Sequence, residues 1–110
     1  MASFNEKINC PISATLEYIG GRWKCVILYF LTKGTRRFGE IAARIPPISR
    51  KVLTQQLKEL ERDGLIYREE FKEIPPRVEY SLTPLGQSLS GVFKEMSSWG
   101  KTYVLDSNQN

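Results

Sequence analysis

The chain has 110 residues, enough for one domain with a single modest core. Its 41% apolar and 25% charged residues exclude a disordered chain, and its longest apolar run, Cys25 to Leu31, is far shorter than the ~20 residues of a membrane span. Histidine is absent and there are only two cysteines, which excludes the commonest general base, a zinc site and a disulfide scaffold.

No cofactor, metal or membrane partner is expected. The residues after Met1 lack the charged-then-apolar pattern of a secretion signal, so a cytoplasmic protein is expected. Gly20-Gly21 stands alone rather than in a phosphate-binding loop, and an enzyme is not expected. The net charge of +4 is uneven: residues 34–63 hold seven Lys and Arg against four Asp and Glu. A basic middle points to a polyanionic partner.

Pro11 suits a first helical turn, and Ile12, Leu16 and Ile19 recur at helical spacing until Gly20-Gly21. A second helix is predicted from Arg22 to Lys33, with Trp23, Val26, Ile27, Phe30 and Leu31 on a wide apolar face and Gly34 beyond its end. That helix should be central. Thr35 to Phe38 suits an edge strand or an extended link. With Gly39 at its start, Glu40 to Ile45 predicts a short helix with Ile41, Ala42 and Ile45 inward, stopped by Pro46-Pro47. Ser49 caps a longer helix, Arg50 to Asp63, with a core stripe of Leu53, Leu57 and Leu60 and a stop at Gly64.

The period then changes from 3.6 to 2. Leu65, Tyr67 and Phe71 alternate with Ile66, Arg68 and Glu70, and Val78, Tyr80 and Leu82 alternate with Glu79 and Ser81, with Lys72 to Arg77 as the turn. Thr83 caps and Pro84 opens a last helix, whose stripe is Leu85, Leu89, Val92, Phe93, Met96, Trp99 and Tyr103; a polar tail follows from Asp106 to Asn110. A helix-turn-helix followed by a hairpin is a winged helix-turn-helix. The expected fold is thus mainly α with a small β-hairpin, as a single domain over residues 1–110.

The helix after Ser49 carries the sharpest chemical signal. Opposite its leucines lie Lys51, Gln55, Lys58 and Arg62, flanked by Thr54. Arg50 and Lys51 occupy its first turn, while Glu59, Glu61 and Asp63 lie near its end. That order opposes the helix dipole, at about 0.3–1 kcal/mol per group, unless a phosphate docks at the helix start. Ser49, Arg50, Lys51, Thr54, Gln55 and Lys58 are therefore the expected major-groove contacts, with Thr54 and Gln55 suited to base edges. A solvated face with incidental charges is the alternative. Lys72 and Arg77 flank the rigid Pro75-Pro76 as expected wing contacts. Arg36 and Arg37 suit backbone contact, or simply a charged edge strand.

Cys10 stands at a helix start three residues from Lys7, and both features lower a thiol pKa, marking it as a redox-sensing candidate; a silent thiol is the alternative. Cys25 lies in the most apolar stretch. A core this small cannot cover both Ile12 and Leu16 on the first helix and Leu89, Val92, Phe93, Met96 and Trp99 on the last. Those stripes are expected to join two copies into a homodimer.

These residues also carry a resemblance. Cys10-Pro11, Gly20-Gly21-Arg22-Trp23-Lys24, Arg37-Phe38, Ile48-Ser49, Leu53-Thr54-Gln55-Gln56-Leu57, Leu60-Glu61-Arg62-Asp63-Gly64-Leu65, Pro75-Pro76-Arg77-Val78-Glu79-Tyr80 and Trp99-Gly100 resemble the HxlR-type winged helix-turn-helix regulators, whose architecture is MarR-like. The resemblance runs from about Cys10 to Gly100. It implies a bacterial or archaeal transcription regulator that binds double-stranded DNA as a homodimer on a partly palindromic operator. In some members the cysteine matching Cys10 senses oxidants or electrophiles. Gly39 departs from the small polar cap frequent at that place. The alternative function is a protein-interaction module docking an acidic partner, which would have no particular need for cations at a helix start.

Overall fold

The computed structural model describes residues 9–106. Helix α1 (Pro11–Ile19) starts at Cys10 with Pro11 in its first turn and ends where a Cβ at Gly20 would collide with the Leu16 carbonyl. Gly21, at φ +92°, turns the chain into α2 (Lys24–Leu31). Strand β1 (Arg36–Arg37) runs directly into α3 (Phe38–Arg44). The backbone amide of Arg37 donates to the Glu40 carboxylate at 2.9 Å, so α3 is capped from its own third residue. Gly39 lies inside that first turn, which is why it needs no capping side chain.

After Pro46-Pro47, Ser49 Oγ accepts from the Val52 amide at 3.1 Å and opens α4 (Arg50–Arg62). Strands β2 (Ile66–Phe71) and β3 (Arg77–Leu82) form the hairpin. β1 joins it as an edge strand in an antiparallel sheet of order β1-β3-β2, pairing Arg36 with Tyr80 and Arg37 with Glu79. The core gathers Ile27 and Leu28 of α2, Ile41 of α3, and Leu53, Leu57 and Leu60 of α4 with Leu65, Ile66, Tyr80 and Leu82. The apolar spacing of α4 therefore holds, and α2 is central as expected, although its Val26 is exposed.

Two elements differ from their sequence reading. In β2 the inward residue is Ile66 (2% exposed), whereas Tyr67 is 56% exposed. The register decides this: Ile66, Arg68 and Glu70 oppose Leu82, Tyr80 and Val78, so they share the face of the β3 apolar set. The last helix is also not continuous. Thr83 Oγ1 donates to the Gly64 carbonyl and accepts from the Gly86 amide, at 2.6 and 3.0 Å. A short α5 (Pro84–Gln87) follows, packed so closely that a Cβ at Gly86 would strike the Leu65 carbonyl. The chain bends at Ser88 and Leu89, where the Leu89 amide reaches back only to Gly86, and then enters α6 (Ser90–Gly100) and a π-helical turn (Lys101–Leu105).

The bend reassigns the stripe. Phe93, expected on the outward surface, is 3% exposed and belongs to the core, and Leu89 packs against that core half-buried. Ile12, Leu16, Val92, Met96 and Trp99 remain exposed. Phe93→Ala should therefore lower the free energy of unfolding by about 3–5 kcal/mol at any protein concentration. Met96→Ala should act only through association. Urea unfolding at two concentrations checks both, and a loss below about 1 kcal/mol for Phe93→Ala would remove Phe93 from the core.

Candidate nucleic-acid interface

The buried leucines of α4 fix its rotation, and the opposite face is free of the protein. Ser49, Arg50, Lys51, Thr54, Gln55 and Lys58 are all exposed there. The basic start of α4 is thus a real surface feature. Arg50 is steadied by stacking its guanidinium over the Phe38 ring at 4.8 Å, and among the described residues its charge has no carboxylate partner. Arg36 lies over Phe30 in the same way, at 4.8 Å, and Arg37 is exposed. Thr54 Oγ1 donates to the Arg50 carbonyl at 2.8 Å, so its hydroxyl is left as an acceptor.

The acidic end of α4 has a different explanation from the one its sequence suggests. Glu59 meets Lys24 at 2.7 Å, and Lys24 is only 8% exposed at the start of α2. The same carboxylate accepts from Gln55 Nε2 at 2.9 Å. The Lys24 hydrogen bond, followed by that of Gln55, holds the Glu59 carboxyl below the usual range. Asp63 pairs with Arg62 at 3.1 Å. These acids serve contacts within the fold. The Lys24–Glu59 pair, 35 residues apart, was missed by sequence reasoning. Its one signal was a lysine inside a helix otherwise apolar almost all round, since a buried lysine needs a carboxylate.

The hairpin is acidic as a whole, with Glu69, Glu70, Glu73 and Glu79, and its tip is less basic than Lys72 and Arg77 suggest. Arg77 is not presented to solvent as a free cation: Nη1 lies 2.7 Å from Glu73, Nε lies 3.1 Å from Glu79, and the guanidinium stacks on Phe71 at 4.1 Å. The Nε–Glu79 approach is one of charge proximity, because that buried N–H has no hydrogen-bond partner. What the tip does expose is Lys72 and the apolar run Ile74-Pro75-Pro76. Between the wing and α3–α4 runs a cleft of about 420 Å³, with Arg37 and Arg50 on its helical wall and Glu73 to Val78 opposite. Its two guanidinium groups, which have no carboxylate partner among the described residues, suit a phosphate strand.

Cys10 lies half-buried at the start of α1. The backbone amides of Ser13 and then Ile12 lower its pKa, without either completing a capping hydrogen bond. The helix start therefore supplies the effect; Lys7, the other expected cause, lies outside the described residues. Burial pushes the Cys25 thiol up, and it donates to the Ile19 carbonyl at 3.2 Å. Among the described residues no group of acidic and cysteine side chains could hold a metal ion, and no helix is long and apolar enough to cross a membrane.

A family model for the HxlR-like helix-turn-helix matches residues 18–108, spanning α2 to α6. The chain belongs to the HxlR-like helix-turn-helix family. It is 50% identical over 94 residues to the HTH-type transcriptional regulator YdeP of Bacillus subtilis, covering 86% of this chain and 73% of YdeP. Among solved structures it resembles the redox regulator HypR in its oxidised form, at 43% identity and a TM-score of 0.81, covering 84% of this chain and 96% of HypR. It also resembles the reduced form of the transcriptional regulator YodB from B. subtilis, at 38% identity and a TM-score of 0.73, covering 86% and 94%. This HxlR-like protein is a DNA-binding transcription regulator with a winged helix-turn-helix fold.

The difference between its free and paired cations gives a test. Lys51→Ala should flatten the dependence of log K on log salt by about 1 for duplex DNA, one phosphate contact being lost. Arg77→Ala should leave that slope nearly unchanged, since its charge is already compensated. Titration by fluorescence anisotropy over a salt series checks this; equal losses for both variants would mean that Arg77 leaves its carboxylates to meet DNA.

Proposed function

We propose that this regulator acts in the cytoplasm as a homodimer on a partly palindromic operator. In this reading α4 enters the major groove and the wing lies over the neighbouring backbone. Ser49, Arg50, Lys51 and Lys58 meet phosphates, Thr54 and Gln55 meet base edges, and Arg36, Arg37 and Lys72 hold the flanking strand. Arg77 shapes the wing rather than touching DNA. The observation that carries this reading is the α4 start: two cations and a capped helix terminus stand on a face that the core leaves entirely uncovered.

The dimer rests on exposed apolar surface. Ile12 and Leu16 of α1, with Val92, Met96 and Trp99 of α6 and Tyr103 beyond it, are each 43–71% exposed. Trp99 and Tyr103 rings lie 5.4 Å apart, which extends that surface along one side of the helix. Large apolar side chains exposed along two helices are costly in water and are covered when two copies associate. Sedimentation should show a dimer at micromolar concentration, and Met96→Glu with Trp99→Glu should give folded monomers with weakened operator binding. A monomeric parent protein would overturn the dimer.

Cys10 gives the dimer a means of response, as the likeness to HypR supports. It stands at the start of α1, close to the exposed Ile12. Two Cys10 thiols from two subunits, attacking as thiolates, can form a disulfide while an oxidant such as diamide takes up the two electrons and the two protons they release. Such a bond would constrain how the two α4 helices are spaced. Iodoacetamide should alkylate Cys10 with a pH midpoint below the ordinary thiol value of ~8.5, and Cys25 with one above it. Diamide should shift operator affinity severalfold, reversibly with dithiothreitol, in the parent protein and not in Cys10→Ser. Identical behaviour of the two proteins would remove Cys10 as a sensor and leave DNA binding intact.

A further inference from the structure

Gln55 stands exposed on the outward face of α4, yet the polarity it presents is set from inside the protein. Lys24 is buried at the start of α2, with Nζ 2.7 Å from Glu59 Oε1. The second carboxylate oxygen, Glu59 Oε2, accepts from Gln55 Nε2 at 2.9 Å. An ionised carboxylate accepts and never donates, so the Gln55 amide can face it only with its NH2 group. The carbonyl Oε1 and one N–H of Gln55 then remain for a ligand. In the major groove adenine shows a donor at N6 beside an acceptor at N7, the complement of one carbonyl and one N–H. Guanine shows two acceptors there and would need two N–H groups.

We infer that Lys24 is a positioning residue for base readout: through Glu59 it holds the Gln55 amide in the orientation that selects adenine. This rests on the proposed seating of α4 in the major groove. Lys24 needs no contact with DNA for this. Its burial keeps Glu59 in place, and the pairing leaves one carboxylate oxygen directed at Gln55. Removing the ammonium frees the carboxylate to swing into water. Replacing Glu59 by glutamine lets position 59 donate to Gln55, so that the flipped amide, with both N–H groups outward, becomes available for guanine.

The experiment uses the full chain and a duplex that the parent protein selects from a randomised library, with sonicated genomic DNA as the non-specific competitor. The parent should select adenine at one position in each half-site. Gln55→Ala should reduce the ratio of selected to non-specific affinity by about tenfold or more. Lys24→Met should reduce it by a similar factor, Lys24→Arg should retain it, and Glu59→Gln should bind a guanine-substituted duplex nearly as well as the original. In a Gln55→Ala background, Lys24→Met should cause no further loss of the ratio, which a general loosening of the fold would not reproduce. Thermal unfolding shows which variants are folded, and if Lys24→Met is not, the near-isosteric Glu59→Gln decides. If Gln55→Ala loses the ratio while folded Lys24→Met and Glu59→Gln keep it and its adenine preference, the positioning role is overturned and the major-groove reading stands. An equal loss from Lys24→Met with and without Gln55 overturns the role as well. If Gln55→Ala itself changes nothing, Gln55 reads no base and the positioning role falls, while the seating of α4 is judged separately by Lys51→Ala.

Discussion

The structure depends on how one helix is held. Leu53, Leu57 and Leu60 are buried to 2% exposure or less, in one core with Ile27 and Leu28 of α2 and Ile41 of α3. Leucines at i, i+4 and i+7 leave α4 no freedom to rotate, because any turn would expose one of them at about 2 kcal/mol or more. Ser49 fixes where the helix begins, and Gly64, at φ +78°, fixes where it ends. Everything proposed for the outward face follows from this constraint. The side chains proposed to meet DNA are those that the core cannot use.

Electrostatics then divide the charged residues into two kinds. Lys24, Arg62 and Arg77 are spent on Glu59, Asp63 and the pair Glu73 and Glu79. Arg36 and Arg50 instead rest on aromatic rings, which keep a guanidinium ordered without neutralising it. A protein that binds a polyanion benefits from the second arrangement, since the phosphate becomes the first anion the cation meets. The modest net charge of +4 thus understates how much uncompensated positive charge gathers at the α3–α4 surface.

Much of the fold was legible in the amino-acid sequence, because it is written in local punctuation. Pro11, Gly34, Ser49, Gly64, Thr83 and Pro84 mark ends that require a capping oxygen, a fixed φ or a positive one, and the leucine spacing of α4 needs no partner to be read. What escaped is set by residues distant in sequence. Leu65, Ile66 and Tyr67 are all apolar, so only pairing with β3 decides that Ile66 points inward. The bend before α6 comes from Thr83 and Gly86 packing on Gly64 and Leu65, and it turns Phe93 from the surface to the core. Arg77 is a nearer case: Glu79 shares its face two residues along β3, and the turn brings Glu73 to its other side. Lys24 and Glu59 meet only in the assembled fold.

In the proposed complex two copies of α4, held by their cores, enter successive major grooves on one side of a duplex. Methylation interference at guanine N7 tests it directly, because that atom lies in the major groove. Two clusters of interfering guanines are expected, related by approximate two-fold symmetry and separated by one helical turn, ~34 Å, or a multiple of it. Interference confined to a single cluster, or its absence on a duplex that the protein binds tightly and selectively, would contradict it.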